Sequence, residues 1–177
     1  MINTEYCFVP EDIAGYFITA DPAHKEQNDI LADLFNNHND LIAPNYRNDF
    51  MHFKKSVSDI MILSEADNET FDEVQFIMWE VRESGMMPYE ESYNYFSAYF
   101  KLIKLQLMYS GIECRKIKLR TLLRDFGYKR RTAELVNKIN SALEALGLLT
   151  YLKNREQCHI GYVDIDDMIM IRLMDSE

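Results

Sequence analysis

Residues 115–152 read RKIKLRTLLRDFGYKRRTAELVNKINSALEALGLLTYL. The first five residues alternate polar and apolar side chains, which predicts a short strand. Leucines at helical spacing follow and predict a short helix that closes at Gly127. Thr132 is suited to cap a second helix that continues through Leu146, and Gly147 is suited to end it. The last five residues are β-like, so the stretch predicts strand, helix, helix and strand in succession.

The sequence on both sides of this stretch extends the pattern. Residues 153–157 predict a polar turn, and residues 158–163 and 168–173 predict two further strands. Residues 90–109 predict a long helix that is apolar around most of its circumference, which is typical of a helix packed on more than one side. We expect this helix either to bridge the two halves of the chain or to form a homodimer interface. The predicted interface residues are Tyr93, Phe96, Phe100, Ile103 and Leu107.

This order of elements resembles the winged helix-turn-helix superfamily. The resemblance rests on IKLRTLLRDFG at 117–127, on RRT at 130–132 and on LEALGLL at 143–149. The last of these is similar to the L-x-x-L-G-L-[IL] ending that is common where a recognition helix passes into the wing of such a domain. The resemblance covers residues 90–173, about half of the chain.

The N-terminal half predicts short helices joined by polar turns. Apolar residues at helical spacing predict helices on either side of breaks at 21–22 and 43–45. A capping-box pattern at Thr70 and Glu73 predicts the start of one more helix. A stop signal follows at 84–88, and we place the boundary between the two halves there.

The predicted fold class is mainly α with a small β-hairpin. We predict an acidic helical domain at residues 1–86. The resemblance implies that a winged helix-turn-helix domain follows at 87–177 and includes the long helix. We find no internal repeat and no low-complexity tract in the sequence.

Charge is distributed unevenly along the chain, whose formal net charge is -10. Residues 101–155 hold 13 of the 19 lysines and arginines but only four acids, so this basic segment carries +9. Residues 1–100 carry -14 and residues 156–177 carry -5. A basic segment in an acidic protein predicts a surface that meets an anionic partner, most commonly nucleic acid. The alternative is that the chain's own acidic half neutralises it.

The resemblance implies that the second helix of the pair lies in the major groove of DNA, with its early residues facing base edges. Winding this helix at about 100° per residue places Arg130, Asn137 and Ser141 opposite the buried stripe, together with Glu134. Arginine suits guanine and asparagine suits adenine, because each makes a paired hydrogen bond to that base. The predicted DNA-binding residues are Arg120, Lys129, Arg130, Arg131, Asn137, Lys138, Ser141, Lys153 and Arg155.

The leading functional hypothesis is therefore a DNA-binding regulator of transcription or replication, of a kind common in bacteria, phages and other mobile elements. The acidic half would mediate dimerisation or sense a partner. Winged helices also serve as protein–protein modules, and Glu134 and Glu144 on the exposed face oppose close approach of phosphate. The alternative is a non-enzymatic interaction or inhibitor protein whose acidic surface engages a basic, nucleic-acid-binding partner.

The sequence predicts neither a catalytic site nor a cofactor or metal site. The three cysteines, Cys7, Cys114 and Cys158, are typical of free thiols in a reducing cytoplasm. The four histidines lack zinc spacing, and the acidic stretch at 67–73 lacks the central glycine of a calcium loop. No apolar run approaches the about 18–20 residues of a membrane span, and the N-terminus lacks a signal-peptide pattern. We expect a cytoplasmic protein that is not an enzyme.

Overall fold

The computed structural model describes residues 4–66, 95–126, 128–154 and 156–174. Within these ranges the chain is mainly helical, with a small three-stranded antiparallel sheet. The helix predicted after Thr70 and the boundary predicted between the two halves lie outside the described residues.

The chain divides into two compact units. The first consists of Met1–Trp79 together with Ser97–Leu102, and the second of Glu80–Phe96 together with Ile103–Glu177. The helix Tyr95–Tyr109 therefore contributes residues to both units.

Three helices form most of the described part of the first unit. They are α1 (Pro10–Ala20), α2 (His24–Asn37) and α3 (Phe50–Ala66). Short 3-10 turns lie at Thr4–Tyr6 and Asn39–Leu41. Helix α1 packs against α3. Helix α1 ends just before the predicted break at 21–22. Helix α2 ends at Asn37, and the 3-10 turn Asn39–Leu41 separates it from the predicted break at 43–45.

Local chemistry explains the bounds of α1. Pro10 occupies the first turn, where its missing N–H costs no helical hydrogen bond. The Asp12 carboxylate accepts a hydrogen bond of 2.9 Å from the backbone N–H of Val9, which is the reciprocal half of a capping box. The helix ends at Asp21, whose φ of 47° lies in the left-handed region.

The core of the first unit follows the predicted helical spacing. Ile30, Leu31 and Leu34 of α2 are buried, as are Phe53 and Val57 of α3. The backbone of Phe8 pairs with that of Ile42 in a parallel bridge, which anchors the N-terminal segment beside the turn after α2. The apolar periodicity of the sequence thus identifies the buried faces of both helices correctly.

The second unit contains the remaining elements in the predicted order. These are the end of α4 (Tyr95–Tyr109), β1 (Arg115–Lys118), α5 (Leu119–Asp125), α6 (Ala133–Ala145), β2 (Leu148–Leu152) and β3 (Met168–Leu173). The strand order is β1-β3-β2, and both pairings are antiparallel. The register pairs Ile117 with Ile169 and Thr150 with Ile171. The last strand in the chain is therefore the central strand of the sheet.

The caps predicted for the longer helix are confirmed. The Thr132 hydroxyl accepts a hydrogen bond of 3.2 Å from the backbone N–H of Leu135 at the start of α6. Gly147, after the end of α6, has a φ of +60°, a conformation that favours glycine. The predicted stripe of α6 is buried and consists of Leu135, Ile139, Ala142, Leu143 and Leu146.

The strand predicted at 158–163 is wrong. The backbone N–H of Cys158 donates to the carbonyl of Thr150 at 2.9 Å, but pairing with β2 then stops and the chain enters turns. Side chains replace the missing strand partner. The Thr150 hydroxyl donates to the carbonyl of Cys158 at 2.7 Å, and the guanidinium of Arg131 donates to the carbonyls of Ile160 and Val163.

Candidate nucleic-acid interface

Helix α6 has one buried side and one exposed side. Glu134, Asn137 and Ser141 are exposed, as the helical winding predicts, and Lys138 is exposed as well. Arg130, which the same winding included, lies before the helix begins at Ala133. Within the described part of the chain, no hydrogen bond or ion pair is recorded for the side chains of four exposed residues at or just before this helix. These four residues, which we call the α6 face, are Lys129, Arg130, Asn137 and Ser141.

Arg131 holds the chain's own backbone. Its guanidinium donates to the carbonyl of Ile160 at 3.1 Å and also to the carbonyl of Val163. These bonds tie the turn after β2 to the start of α6. The structure therefore gives this predicted DNA-binding residue a positioning role inside the second unit.

Lys138 lies over an aromatic ring. Its ammonium is 4.7 Å from the ring centroid of Phe96, within the range of a cation–π interaction. Phe96 is 2% exposed and packs on Phe126 with ring centroids 4.6 Å apart. The aliphatic part of the Lys138 side chain therefore covers part of the apolar core, although Lys138 as a whole is exposed.

Arg120 forms a two-pronged ion pair with Asp166. Its Nε and Nη2 donate to the two carboxylate oxygens at 2.7 Å and 2.8 Å, and both side chains are 62% exposed. The hydrogen bond from Arg120 holds the pKa of the Asp166 carboxyl below its usual value, and the same bond raises the pKa of Arg120. This predicted DNA contact thus already binds an anion of its own chain.

The segment between β2 and β3, residues 153–167, differs from the basic wing that the resemblance implies. Lys153 is exposed in the turn after β2, and Arg155 lies outside the described residues. Exposed acids outnumber this lysine, since the segment also carries Glu156, Asp164 and Asp166. The structure therefore places more negative than positive charge along the described part of this connection.

A small polar cluster that the sequence did not reveal lies beside α6. The side-chain amide of Asn140 is 2.9 Å from Nε2 of His159, and the backbone N–H of Gly161 donates to Nδ1 of the same ring at 3.0 Å. The ring of Tyr162 lies 5.1 Å from that of His159 and its residue is 89% exposed. No sequence signal links these residues, because the contact between Asn140 and His159 spans 19 positions.

The predicted dimer residues that the structure describes lie in the interior of the chain. Phe96, Phe100, Ile103 and Leu107 are at most 7% exposed, and Tyr93 lies outside the described residues. A residue buried within its own chain offers no surface to a second copy. The apolar circumference of α4 is therefore explained by packing within the chain, and a homodimer would need another interface.

Part of the basic segment is used internally. Lys101 pairs with Asp12 of the acidic half at 2.8 Å, and both side chains are at most 4% exposed. Lys104 donates to the carbonyl of Leu146 at 2.7 Å, just after α6 ends. The remaining charge on the described exposed surface of the segment is therefore smaller than the sequence total of +9 suggests.

The same described ranges hold no group of three or more His, Cys, Asp or Glu residues arranged to bind a metal ion. None of their helices has the length and apolar character that crossing a membrane requires. Burial raises the pKa of the Cys158 thiol, and a hydrogen bond with Thr150 partly opposes that effect.

No known family matches this chain, and no significant match was found among the curated proteins or the solved structures.

Proposed function

We propose that the second unit is a winged helix-turn-helix domain and that it binds double-stranded DNA to regulate transcription or replication. The order of helix, strand, helix, helix and two strands supports this fold, together with the strand order β1-β3-β2. In such a domain α6 is the recognition helix and enters the major groove.

The observation that carries the proposal is the α6 face. Two exposed cations lie just before the helix, and two small polar side chains are exposed on the helix itself, away from its buried stripe. Arg130 suits a guanine edge and Asn137 an adenine edge, while Lys129 is placed to neutralise a phosphate. The exposed polar side of a well-packed helix is therefore available for a partner.

The internal contacts of three predicted residues refine the proposal. Arg120, Arg131 and Lys138 are held by a carboxylate, by carbonyls and by an aromatic ring. The cations left to meet phosphates are chiefly Lys129, Arg130 and Lys153. We therefore expect a slope of about -3 in a plot of log K against log salt concentration.

The rest of the protein has supporting roles in this proposal. The acidic first unit mediates dimerisation or senses a partner, and a homodimer places two α6 helices about one turn of DNA apart. The three free cysteines favour a cytoplasmic location. No catalytic step is part of the proposed function.

The test is fluorescence anisotropy of a labelled random-sequence duplex, titrated with the full-length chain at several salt concentrations. We expect Arg130→Glu to weaken binding about tenfold or more, because it reverses a charge close to the phosphates. Lys25→Glu is the matched control, since it makes the same reversal at an exposed site in α2. Equal effects of the two changes, or no binding by the wild type at low salt, would overturn the proposal.

A second candidate is favoured by the acids around the α6 face. Glu134 and Glu144 are exposed on α6 itself, and Asp164 and Asp166 are exposed between the last two strands. These residues suit a non-enzymatic protein that engages a basic, nucleic-acid-binding partner. Glu134→Lys with Glu144→Lys discriminates the two candidates. If the protein binds DNA, the double change should strengthen DNA binding. If it engages a basic protein partner, the double change should weaken that interaction.

A further inference from the structure

The end of the segment between β2 and β3 is folded onto the start of α5. The backbone N–H of Leu119 donates to the carbonyl of Asp167 at 3.1 Å, and that of Arg120 donates to the carbonyl of Ile165 at 2.7 Å. The ion pair between Arg120 and Asp166 lies beside these two backbone bonds. Two backbone hydrogen bonds and one ion pair therefore hold residues 164–167, which we call the acidic turn, against Leu119 and Arg120.

The acidic turn has a fixed internal shape. The backbone N–H of Asp164 donates to the carboxylate of Asp167 at 3.0 Å, and the backbone N–H of Asp166 donates to the carboxylate of Asp164 at 2.9 Å. These two bonds leave the Asp166 carboxylate to face Arg120. The turn thus presents one carboxylate to one guanidinium in a defined geometry.

A guanidinium fork binds a carboxylate and a phosphate in the same two-pronged manner. The oxygens of Asp166 thus occupy the positions on Nε and Nη2 of Arg120 that two phosphate oxygens would take. Both side chains are exposed, and ion pairs in such surroundings are weak enough for another anion to displace. The carboxylate can therefore be exchanged for a phosphate.

The position of the turn connects it to the proposed DNA surface. Val163, immediately before the acidic turn, accepts a hydrogen bond from Arg131 at the start of α6. The few residues from Val163 to Asp167 therefore run from the start of α6 to the start of α5. Asp166 meets Arg120 at the second of these two helix starts.

We propose that Asp166 is a built-in competitor for nucleic-acid phosphate at Arg120, so that the acidic turn lowers the affinity of this protein for DNA. This inference rests on the proposed function. In the wild type, Asp166 largely keeps Arg120 from the phosphates of bound DNA. Arg120 adds a phosphate contact only where the carboxylate is displaced or removed. Because Arg120 keeps the pKa of Asp166 low, the competitor is anionic at neutral pH.

The experiment compares Asp166→Asn with Glu156→Gln by anisotropy with the same labelled duplex and full-length chain. Both changes remove one exposed negative charge from the segment between β2 and β3. Among the described residues, however, the Glu156 carboxylate bonds Asn154 and forms no ion pair with an arginine. We expect Asp166→Asn to tighten binding about three- to tenfold at low salt. It should also steepen the slope of log K against log salt by about 0.9, which corresponds to one additional phosphate contact. Glu156→Gln should change affinity by less than about twofold.

A protein that already carries Arg120→Gln tests whether Asp166 acts on DNA affinity through this arginine. In that protein, adding Asp166→Asn should change the affinity for DNA no more than adding Glu156→Gln does. Asp166→Ser provides a second variant if the asparagine disturbs the turn, and thermal unfolding checks that each variant is folded. If the wild type binds DNA but Asp166→Asn behaves like Glu156→Gln, the competitor is disproved and the DNA-binding proposal stands. If no variant binds DNA at low salt, both fail.

Discussion

The ammonium of Lys101 lies 2.8 Å from the carboxylate of Asp12, although 89 positions separate the two residues. Both side chains are almost completely buried, and Lys101 also donates to the carbonyl of Cys7 at 3.2 Å. Asp12 in turn accepts a hydrogen bond from the backbone N–H of Val9 at the N-terminus of α1. A cation of the basic segment thus completes the polar interior of the first unit.

Breaking this pair is expected to destabilise the protein strongly. Lys101→Met should lower the free energy of unfolding by about 3–5 kcal/mol, because it leaves the buried Asp12 carboxylate without its cation. For a chain of this size that loss corresponds to a fall in Tm of about 6–20 °C. Thermal unfolding followed by circular dichroism measures it.

Lys55→Met is the matched control, since Lys55 pairs with Asp59 on an exposed surface of α3. Its effect should stay below about 0.5 kcal/mol. Adding Asp12→Asn to Lys101→Met should recover part of the lost stability, because the neutral amide still accepts the Val9 N–H. Equal losses from Lys55→Met and Lys101→Met would contradict the burial of the pair.

The N-cap of α6 provides a smaller test. Thr132→Ala should destabilise the protein by about 1 kcal/mol, because the backbone N–H of Leu135 loses its acceptor. Thr132→Ser keeps a hydroxyl at the cap and should stay close to the wild type. Urea unfolding of the three proteins gives the comparison, and a stable alanine variant would show that the cap contributes little.

Cysteine alkylation tests the environment of Cys158. Burial raises the pKa of its thiol, so less of the reactive thiolate is present at neutral pH than in an ordinary thiol. We expect iodoacetamide to modify Cys158 more slowly than a short cysteine peptide, with a rate that rises over a higher pH range. Mass spectrometry of proteolytic peptides gives the rate at each pH. A pH profile equal to that of the peptide would contradict this environment.

Alkaline unfolding tests the environment of Tyr6. Burial, and secondarily the charge of Glu5, raises the pKa of Tyr6 to about 12. The unfolded chain releases the same proton near pH 10, about the ordinary value for tyrosine. The contribution of Tyr6 to stability is therefore fully present below about pH 10 and is lost as pH rises toward about 12.

Tyr6→Phe removes this titration without removing the ring. Between about pH 9 and pH 11, the urea midpoint of the wild type should fall further than that of Tyr6→Phe. All other titrating groups are shared by the two proteins, so the difference isolates Tyr6. Parallel pH profiles would show that its hydroxyl ionises at an ordinary pKa.

The elements that the sequence predicts well are those whose signals are local. Thr132 and Gly147 mark the ends of α6, and the predicted strands at 148–152 and 168–173 coincide with β2 and β3. The sequence also predicts a strand at residues 158–163, which the structure lacks. The side chains that satisfy their backbone come from distant positions, however, and no local pattern reveals Arg131 as a partner.

In the candidate site, too, the sequence predicts local features but not contacts between distant residues. The exposed side of α6 follows from helical periodicity, which is a local property. The partner of a basic side chain is a tertiary property, so the sequence alone does not distinguish a cation available for phosphate from one already held. Arg120 is held by Asp166, 46 positions away, and Lys138 lies over Phe96. The apolar circumference of α4 is likewise compatible with either a subunit interface or burial within one chain.

The central position of β3 affects how the protein is synthesised. Both β1 and β2 find their sheet partner in β3, which leaves the ribosome after both of them. Until β3 emerges, the nascent chain can form α5 and α6, while the backbone N–H and C=O groups that β3 will pair remain open to other chains. The second unit is therefore most prone to aggregate just before β3 emerges from the ribosome. A chaperone would protect it most at that stage.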